Sequence, residues 1–242
     1  MKKCNILGTN IAVTNMEEVV HEIECNIDSL RGKYICVSNV HTTVMAYEDA
    51  YYQTIQNGAA FALPDGKPLS LYSKVHGFST AERVTGPDLM GTLFERDNGL
   101  KHFFYGGTEE TIDILKKKLP QTYEKLQIVG MVSPPFRALT KEEDEAIIQK
   151  INDAGADIIW IGLGAPKQER YMAEHEEKVN GVMIGVGAGF DYYAGTIKRA
   201  PIWMQKMSLE WLYRLIQDPK RLFKRYFVTN IKFLWLTKGL RR

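Results

Sequence analysis

The stretch from Ile158 to Arg170 limits the possible folds more than any other. Four apolar residues, Ile158 to Ile161, run straight into Gly162-Leu163-Gly164, and Ala165-Pro166-Lys167 then opens a segment with helical spacing. The same succession of apolar run, glycine or polar turn, and helical period recurs along the chain. Tyr34-Ile-Cys-Val-Ser38 ends at Asn39, Ala60-Phe-Ala-Leu-Pro64 at Asp65-Gly66, His102 to Tyr105 at Gly106-Gly107, and Val182 to Val186 at Gly187. Gln127 to Val132 reads as one more strand. Strands alternating with helices require a parallel sheet covered on both faces. The expected fold is therefore α/β, a Rossmann-like, mostly parallel sheet with helices on both faces.

Local signals fill in the elements. Cys4 to Thr14 reads as two short strands about a Gly8-Thr9-Asn10 turn, and Thr14-x-x-Glu17 has the pattern of a capping box. Helices are expected over Thr43–Ile55, Pro68–Val75, Gly86–Leu93, Thr108–Leu119, Lys141–Ile151 and Lys167–Val179, with two closing helices at about 202–217 and 219–236.

Charge divides the chain where the strand pattern stops. From Tyr192 onward 12 Lys and Arg stand against two acids, Glu210 and Asp218, while the preceding 191 residues hold 19 basic and 27 acidic side chains. The expected organisation is a catalytic core over 1–195 and a basic, aromatic helical appendage over 196–242. Such a region suits an anionic surface, either nucleic acid or lipid headgroups. Trp203, Met207, Trp211 and Leu215 form one stripe at helical spacing, and Phe223, Phe227, Ile231 and Trp235 another, beside Arg221, Arg225 and Lys232. Aromatic stripes flanked by cations fit an interfacial helix on anionic lipid; they also fit a helix pair packed on its own core, or a homo-oligomer interface. No nucleic-acid module is recognisable. No run approaches the roughly 18 apolar residues of a spanning helix, and the charged N-terminus lacks an apolar signal region. Three cysteines without metal-ligand spacing suit a reduced, cytoplasmic setting.

In a parallel sheet the polar motifs at the strand ends converge on one edge, where ligands bind. Gly162 to Lys167 is a candidate anion site, because unpaired N–H groups and the positive end of the dipole meet at a helix start. The same residues also fit an ordinary strand-to-helix turn. Asp65 is a candidate general base with Asn39 orienting the substrate, although Pro-Asp-Gly is a common turn and Asn39 a common cap. Arg83 fits either a ligand contact or a solvated charge. Gly162-x-Gly164 has part of a dinucleotide fingerprint, but Lys167 stands where the third glycine belongs and Gly185-Val186-Gly187 where the ribose acid is expected. A nicotinamide-dependent oxidoreductase is thus the minor alternative. The five histidines show no paired ligand spacing and there is no Asp-x-Asp, so no metal and no cofactor is expected.

Taken together, Ser38-Asn39, Leu63-Pro-Asp-Gly-Lys-Pro68, Arg83-Val-Thr-Gly-Pro-Asp88, Phe104-Tyr-Gly-Gly107, Gly162 to Glu169 and Gly185 to Asp191 resemble the WecG/TagA/CpsF family of bacterial glycosyltransferases. Ala200-Pro-x-Trp203 and Glu210-Trp-x-x-Arg214 look like its closing segment. The resemblance, nearest to the TagA branch, implies transfer of N-acetylmannosamine from its UDP donor to undecaprenyl-diphosphate-linked N-acetylglucosamine in teichoic acid linkage-unit synthesis. Relatives that use the uronic acid or glucose are the alternative. It further implies an inverting, metal-independent reaction, with Asp65 as base and Asn39 beside it. Ser38 and Asn39 would position the sugars, and Arg83 would bind acceptor phosphate or donor sugar. Gly164, Lys167 and Gln168 would hold UDP, Asp191 the nucleoside, and Arg214, Arg221 and Arg225 the acceptor diphosphate. The expected location is cytoplasmic, peripheral on the inner face of the cell membrane.

Overall fold

The computed structural model describes residues 1–207 and 209–238; the side chains of Lys206, Arg221, Lys224 and Arg225 are outside the described residues. In chain order the elements are β1 (Lys2–Ile6), β2 (Thr9–Val13), α1 (Met16–Cys25), α2 (Ile27–Leu30), β3 (Tyr34–Ser38), α3 (Val40–Glu48), α4 (Ala50–Gly58) and β4 (Phe61–Pro64). They continue as α5 (Lys67–Val75), α6 (Gly86–Glu95), β5 (Lys101–Gly106), α7 (Glu109–Thr122), β6 (Gln127–Val132), α8 (Lys141–Asp153), β7 (Ile158–Gly162), α9 (Lys167–Glu174) and β8 (Val182–Gly185). The chain closes with α10 (Gly189–Ala194), α11 (Ile202–Lys206), α12 (Glu210–Gln217) and α13 (Pro219–Lys238).

Six strands form one parallel sheet in the order β4-β3-β8-β7-β5-β6. The α/β reading therefore holds, with helices on both faces. Successive side chains of a strand point to opposite faces, and the core divides accordingly. Ile35, Val37, Leu63, Phe104, Trp160 and Ile184 belong to one apolar layer. Tyr34, Cys36, Ala62, Tyr105, Ile161 and Met183 belong to the other. β1 and β2 pair antiparallel as a separate hairpin.

Several local expectations shift. The hairpin turns at Leu7-Gly8, both with positive φ, and not at Gly8 to Asn10. The cap of α1 is Asn15, whose side chain accepts from the Glu18 N–H; the buried Thr14 hydroxyl instead donates to the Glu18 carboxylate at 3.2 Å. The helix expected over Thr43–Ile55 is two helices, because Asp49 leaves helical geometry and its side chain caps α4 through the Tyr52 N–H. α9 stops at Glu174, short of Val179. The helix expected over 202–217 is likewise two, α11 and α12.

α13 turns Leu222, Thr229, Phe233 and Thr237 inward, and Phe233 joins the core layer that includes Tyr34 and Cys36. Its opposite face carries Phe223, Phe227, Ile231 and Trp235, all exposed. Trp203, Met207 and Trp211 of the other stripe are exposed as well. The stripes thus lie outside the fold's own core. Among the described residues no helix is long and apolar enough to cross a membrane.

Candidate active site

The sheet order fixes where a site can form. The chain leaves β5 toward β6 on one side and leaves β7 toward β8 on the other, so the β5–β7 pair is a topological switch point. Ligands enter the crevice beyond the carboxyl ends of such a pair. Two glycine turns meet there. The Gly107 N–H donates to the Gly162 carbonyl at 3.1 Å. A Cβ on Gly106, whose φ is +133°, would lie 2.5 Å from the Gly162 carbonyl carbon. Only glycine permits this approach of backbone to backbone.

Above the switch point opens a cavity of about 910 Å³, lined by strand-end residues and by the C-terminal helices. Asn39, Asp65, Arg83, Gly164, Lys167, Gln168, Asp191 and Arg214 all border it, so eight side chains or turns singled out from sequence share one space. Ser38 does not. It is 1% exposed and its Oγ donates to Gln56 Oε1 at 2.5 Å, so its hydroxyl is spent inside the fold. The side chains of Arg221 and Arg225 lie outside the described residues.

Asp65 follows β4 directly, and its N–H donates to the Ser38 carbonyl at 2.7 Å, which holds the residue at the sheet edge. Desolvation by the surrounding walls pushes its carboxyl up to about 6. Arg83 and Arg214 oppose that rise, while Glu210 and Asp88 add to it. A carboxylate of this kind is charged at neutral pH yet basic enough to take a proton.

The charges around it form a lattice. Arg83 meets Glu210 at 3.4 Å and Asp88 at 3.8 Å, and Arg199 meets Asp88 at 2.5 Å and Glu210 at 3.4 Å. Glu210 belongs to α12, so two arginines fasten the C-terminal helices to the sheet edge beside Asp65. Arg83 is therefore neither a solvated surface charge nor a free cation.

Asn39 caps α3: its Oδ1 accepts the His41 and Thr42 N–H groups, in a capping box with Thr42. What it can offer a ligand is its amide N–H₂. Gly164 has φ +74° with open space where a Cβ would stand. Lys167 opens α9, whose start has no side-chain cap, and is exposed. Gln168 is 3% exposed; its Oε1 accepts the Gly187 N–H at 3.0 Å and its Nε2 donates to Glu169 Oε1 at 2.9 Å. Asp191 accepts from the Thr111 hydroxyl at 3.3 Å. Arg214 sits 5.8 Å from the centre of the Tyr192 ring.

Sequence reasoning missed part of the wall. Phe136, Thr85, Thr108, Tyr226 and Asn230 also border the cavity. Thr108 and Phe136 follow the ends of β5 and β6, and the strand-end rule that drew attention to Asp65 would have found them. Tyr226 and Asn230 lie one turn apart on the inner side of α13, a feature that emerges only once the helix is docked. Among the described residues no group of three His, Cys, Asp or Glu side chains is arranged to hold a metal ion.

The family model described as "Glycosyl transferase WecG/TagA/CpsF family" matches residues 4–242. A Bacillus subtilis (strain 168) protein is 30% identical over 198 residues, covering 81% of this chain and 75% of its own length. A Staphylococcus aureus (strain MW2) protein is 29% identical over 225 residues, covering 91% and 87% respectively. A Bacillus spizizenii protein is 28% identical over 198 residues, covering 81% and 75%. All three bear the name N-acetylglucosaminyldiphosphoundecaprenol N-acetyl-beta-D-mannosaminyltransferase.

Proposed function

Since the chain belongs to the WecG/TagA/CpsF family of glycosyltransferases, we propose that it transfers N-acetylmannosamine from a UDP donor to undecaprenyl-diphosphate-linked N-acetylglucosamine. The observation that carries this reading is the shared cavity, where a carboxylate with pKa near 6 borders the same space as the glycine turns of the switch point. The shared name of the three relatives supports the sugar and the lipid-linked acceptor.

In the proposed reaction the Asp65 carboxylate removes the proton of an acceptor hydroxyl as its oxygen attacks the anomeric carbon. The bond from that carbon to the diphosphate oxygen breaks on the opposite face, and the electron pair leaves with UDP. One displacement inverts the anomeric centre. Lys167 and the start of α9 stabilise the departing diphosphate, since a helix N-terminus and a cation favour developing negative charge. The reaction then needs no divalent ion. Asn39 offers its amide to the reacting sugars and Asp191 contacts the nucleoside. Arg214, with Arg221 and Arg225, binds the acceptor diphosphate, and the exposed aromatic stripes of α11 to α13 rest on the inner membrane surface where that acceptor resides.

The test is purified protein with a lipid-diphosphate-N-acetylglucosamine acceptor and a panel of UDP-sugars, with and without EDTA. UDP release with UDP-N-acetylmannosamine alone, unchanged by EDTA, is the expected result. Turnover only with the uronic acid or glucose donor overturns the sugar assignment, and loss of turnover in EDTA overturns the metal-free reaction.

A further inference from the structure

The four charges of the lattice beside Asp65 are not equivalent. Asp88 Oδ1 accepts from Arg199 at 2.5 Å, and its Oδ2 accepts the Thr85 hydroxyl at 2.7 Å. Arg83 approaches that second oxygen only to 3.8 Å. Glu210 is divided between the arginines, Oε1 toward Arg199 and Oε2 toward Arg83, each at 3.4 Å. Arg199 therefore makes the short contact and touches both acids, while both contacts of Arg83 are long. A guanidinium carries five N–H donors in a fixed fork. Two contacts of that length leave Arg83 able to take up a further anion.

Position divides the four in a related way. Arg83 and Glu210 border the cavity, and Asp88 and Arg199 do not. Two acids and two arginines leave the lattice neutral. Without Arg199, Arg83 becomes the nearest counter-ion of two carboxylates, and half-buried acids left unpaired are costly enough to draw it onto themselves. Arg83 also stands beside the proposed base. The Val84 N–H donates to the Pro64 carbonyl at 2.9 Å, so the residue after Arg83 is paired with the residue before Asp65. On α12, Arg214 follows Glu210 by one turn and borders the same cavity. An anion lying between Asp65 and α12 would face both Arg83 and Arg214.

We propose that Arg199 is a positioning residue: from outside the cavity it neutralises Asp88 and Glu210, and so keeps Arg83 available to the acceptor diphosphate. The proposal rests on the reading of the cavity as the meeting place of a UDP donor and a lipid-linked acceptor.

The experiment compares Arg199→Met, Arg199→Lys, Glu210→Gln and the double variant Arg199→Met with Glu210→Gln. For each, kcat, acceptor KM and UDP affinity are measured. Inorganic pyrophosphate titrated calorimetrically with UDP saturating reports the second anion site without turnover. Arg199→Met is expected to raise acceptor KM and weaken pyrophosphate binding about tenfold, with UDP affinity within about twofold of the parent. Arg199→Lys keeps the charge and should stay within about threefold on both measures. Adding Glu210→Gln to Arg199→Met removes the surplus carboxylate and should recover most of the loss. A simple clamp on α12 predicts the opposite, a double variant weaker than either single, because both residues hold that helix. The Gln217 side chain, which donates to the Lys198 carbonyl at 3.1 Å, still ties α12 down in every variant. A double variant weaker than Arg199→Met, a Lys variant as impaired as the Met one, or Arg199→Met indistinguishable from the parent would each overturn the proposal. If Arg199→Met does not fold alone, the double variant decides: near-parental pyrophosphate binding supports the proposal, and a loss of about tenfold overturns it. If the parent fails to transfer to the lipid-linked acceptor while the pyrophosphate pattern holds, the proposed function falls and the role of Arg199 stands. Transfer without that pattern removes Arg199 and leaves the function.

Discussion

At the scale of single residues, the proposed reaction depends on one proton. Asp65 is raised from the ordinary carboxylate range to about 6, chiefly by desolvation. Its basic form is the carboxylate, so kcat/KM should be level above that pH and fall about tenfold per unit below it. Asp65→Asn should bind UDP as the parent does and lose at least about a hundredfold in turnover; near-normal turnover would remove the assignment. Glu210 contributes to the raised value. Glu210→Gln should therefore move the acidic limb of the pH profile to lower pH, an outcome read from the same titration of rate. Much of this site was legible in sequence because polar residues at the ends of parallel strands must share an edge. Ser38 was misjudged for a physical reason: neighbouring strand residues face opposite ways, and a motif does not say which of Ser38 and Asn39 turns inward. The ion pairs were not legible: Arg83 meets Glu210 127 residues away and Arg199 meets Asp88 111 residues away, and such pairings carry no local signature.

At the scale of elements, the alternation of period two and period 3.6 located the strands and most helices. It failed where a polar side chain replaced a helical bond without interrupting the apolar pattern. Asp49 is the clearest case: apolar spacing continues across it, yet its carboxylate caps a new helix. The turns that join β5 and β7 to their helices show a different dependence, on backbone shape alone. Gly106→Ala forces a side chain into φ +133° and against the Gly162 backbone. It should cost at least about 2 kcal/mol from the strained conformation and the displaced neighbour, lowering Tm by about 4 °C or more. Gly164→Ala meets open space at φ +74°, and should cost only the left-handed conformation, about 1–2 kcal/mol. Thermal unfolding of the two variants, compared side by side, checks the ranking. Equal losses would mean that crowding at the switch point is unimportant.

At the scale of the whole molecule, the C-terminal helices wall the cavity and, in the proposed reading, also meet the membrane. They close one side of the cavity with Trp211, Arg214, Tyr226 and Phe233 and turn Phe223, Phe227, Ile231 and Trp235 outward. A chain ending at residue 195 is expected to lose transfer to the lipid-linked acceptor and to lose binding to vesicles containing anionic lipid. In the full chain, vesicle binding should weaken steeply with salt, since each Lys or Arg near such a surface contributes about 1 kcal/mol and that contribution is screened. Full transfer activity and undiminished vesicle binding by the shortened chain would refute both roles. The charge asymmetry of the sequence pointed to this region, but not to the face it would present.

The central place of β8 has a consequence for how the protein is made. Among the described residues β8 is the last strand in chain order, yet it lies between β3 and β7. A nascent chain that has not reached Val182 holds β3 and β4 on one side and β5, β6 and β7 on the other, with nothing to join them. Pairings between distant segments must wait for the later segment to emerge. The cavity floor can then close only after Gly185 has left the ribosome, and its wall only after α12 and α13 have followed. A chain still short of β8 therefore has no closed cavity for a ligand to occupy.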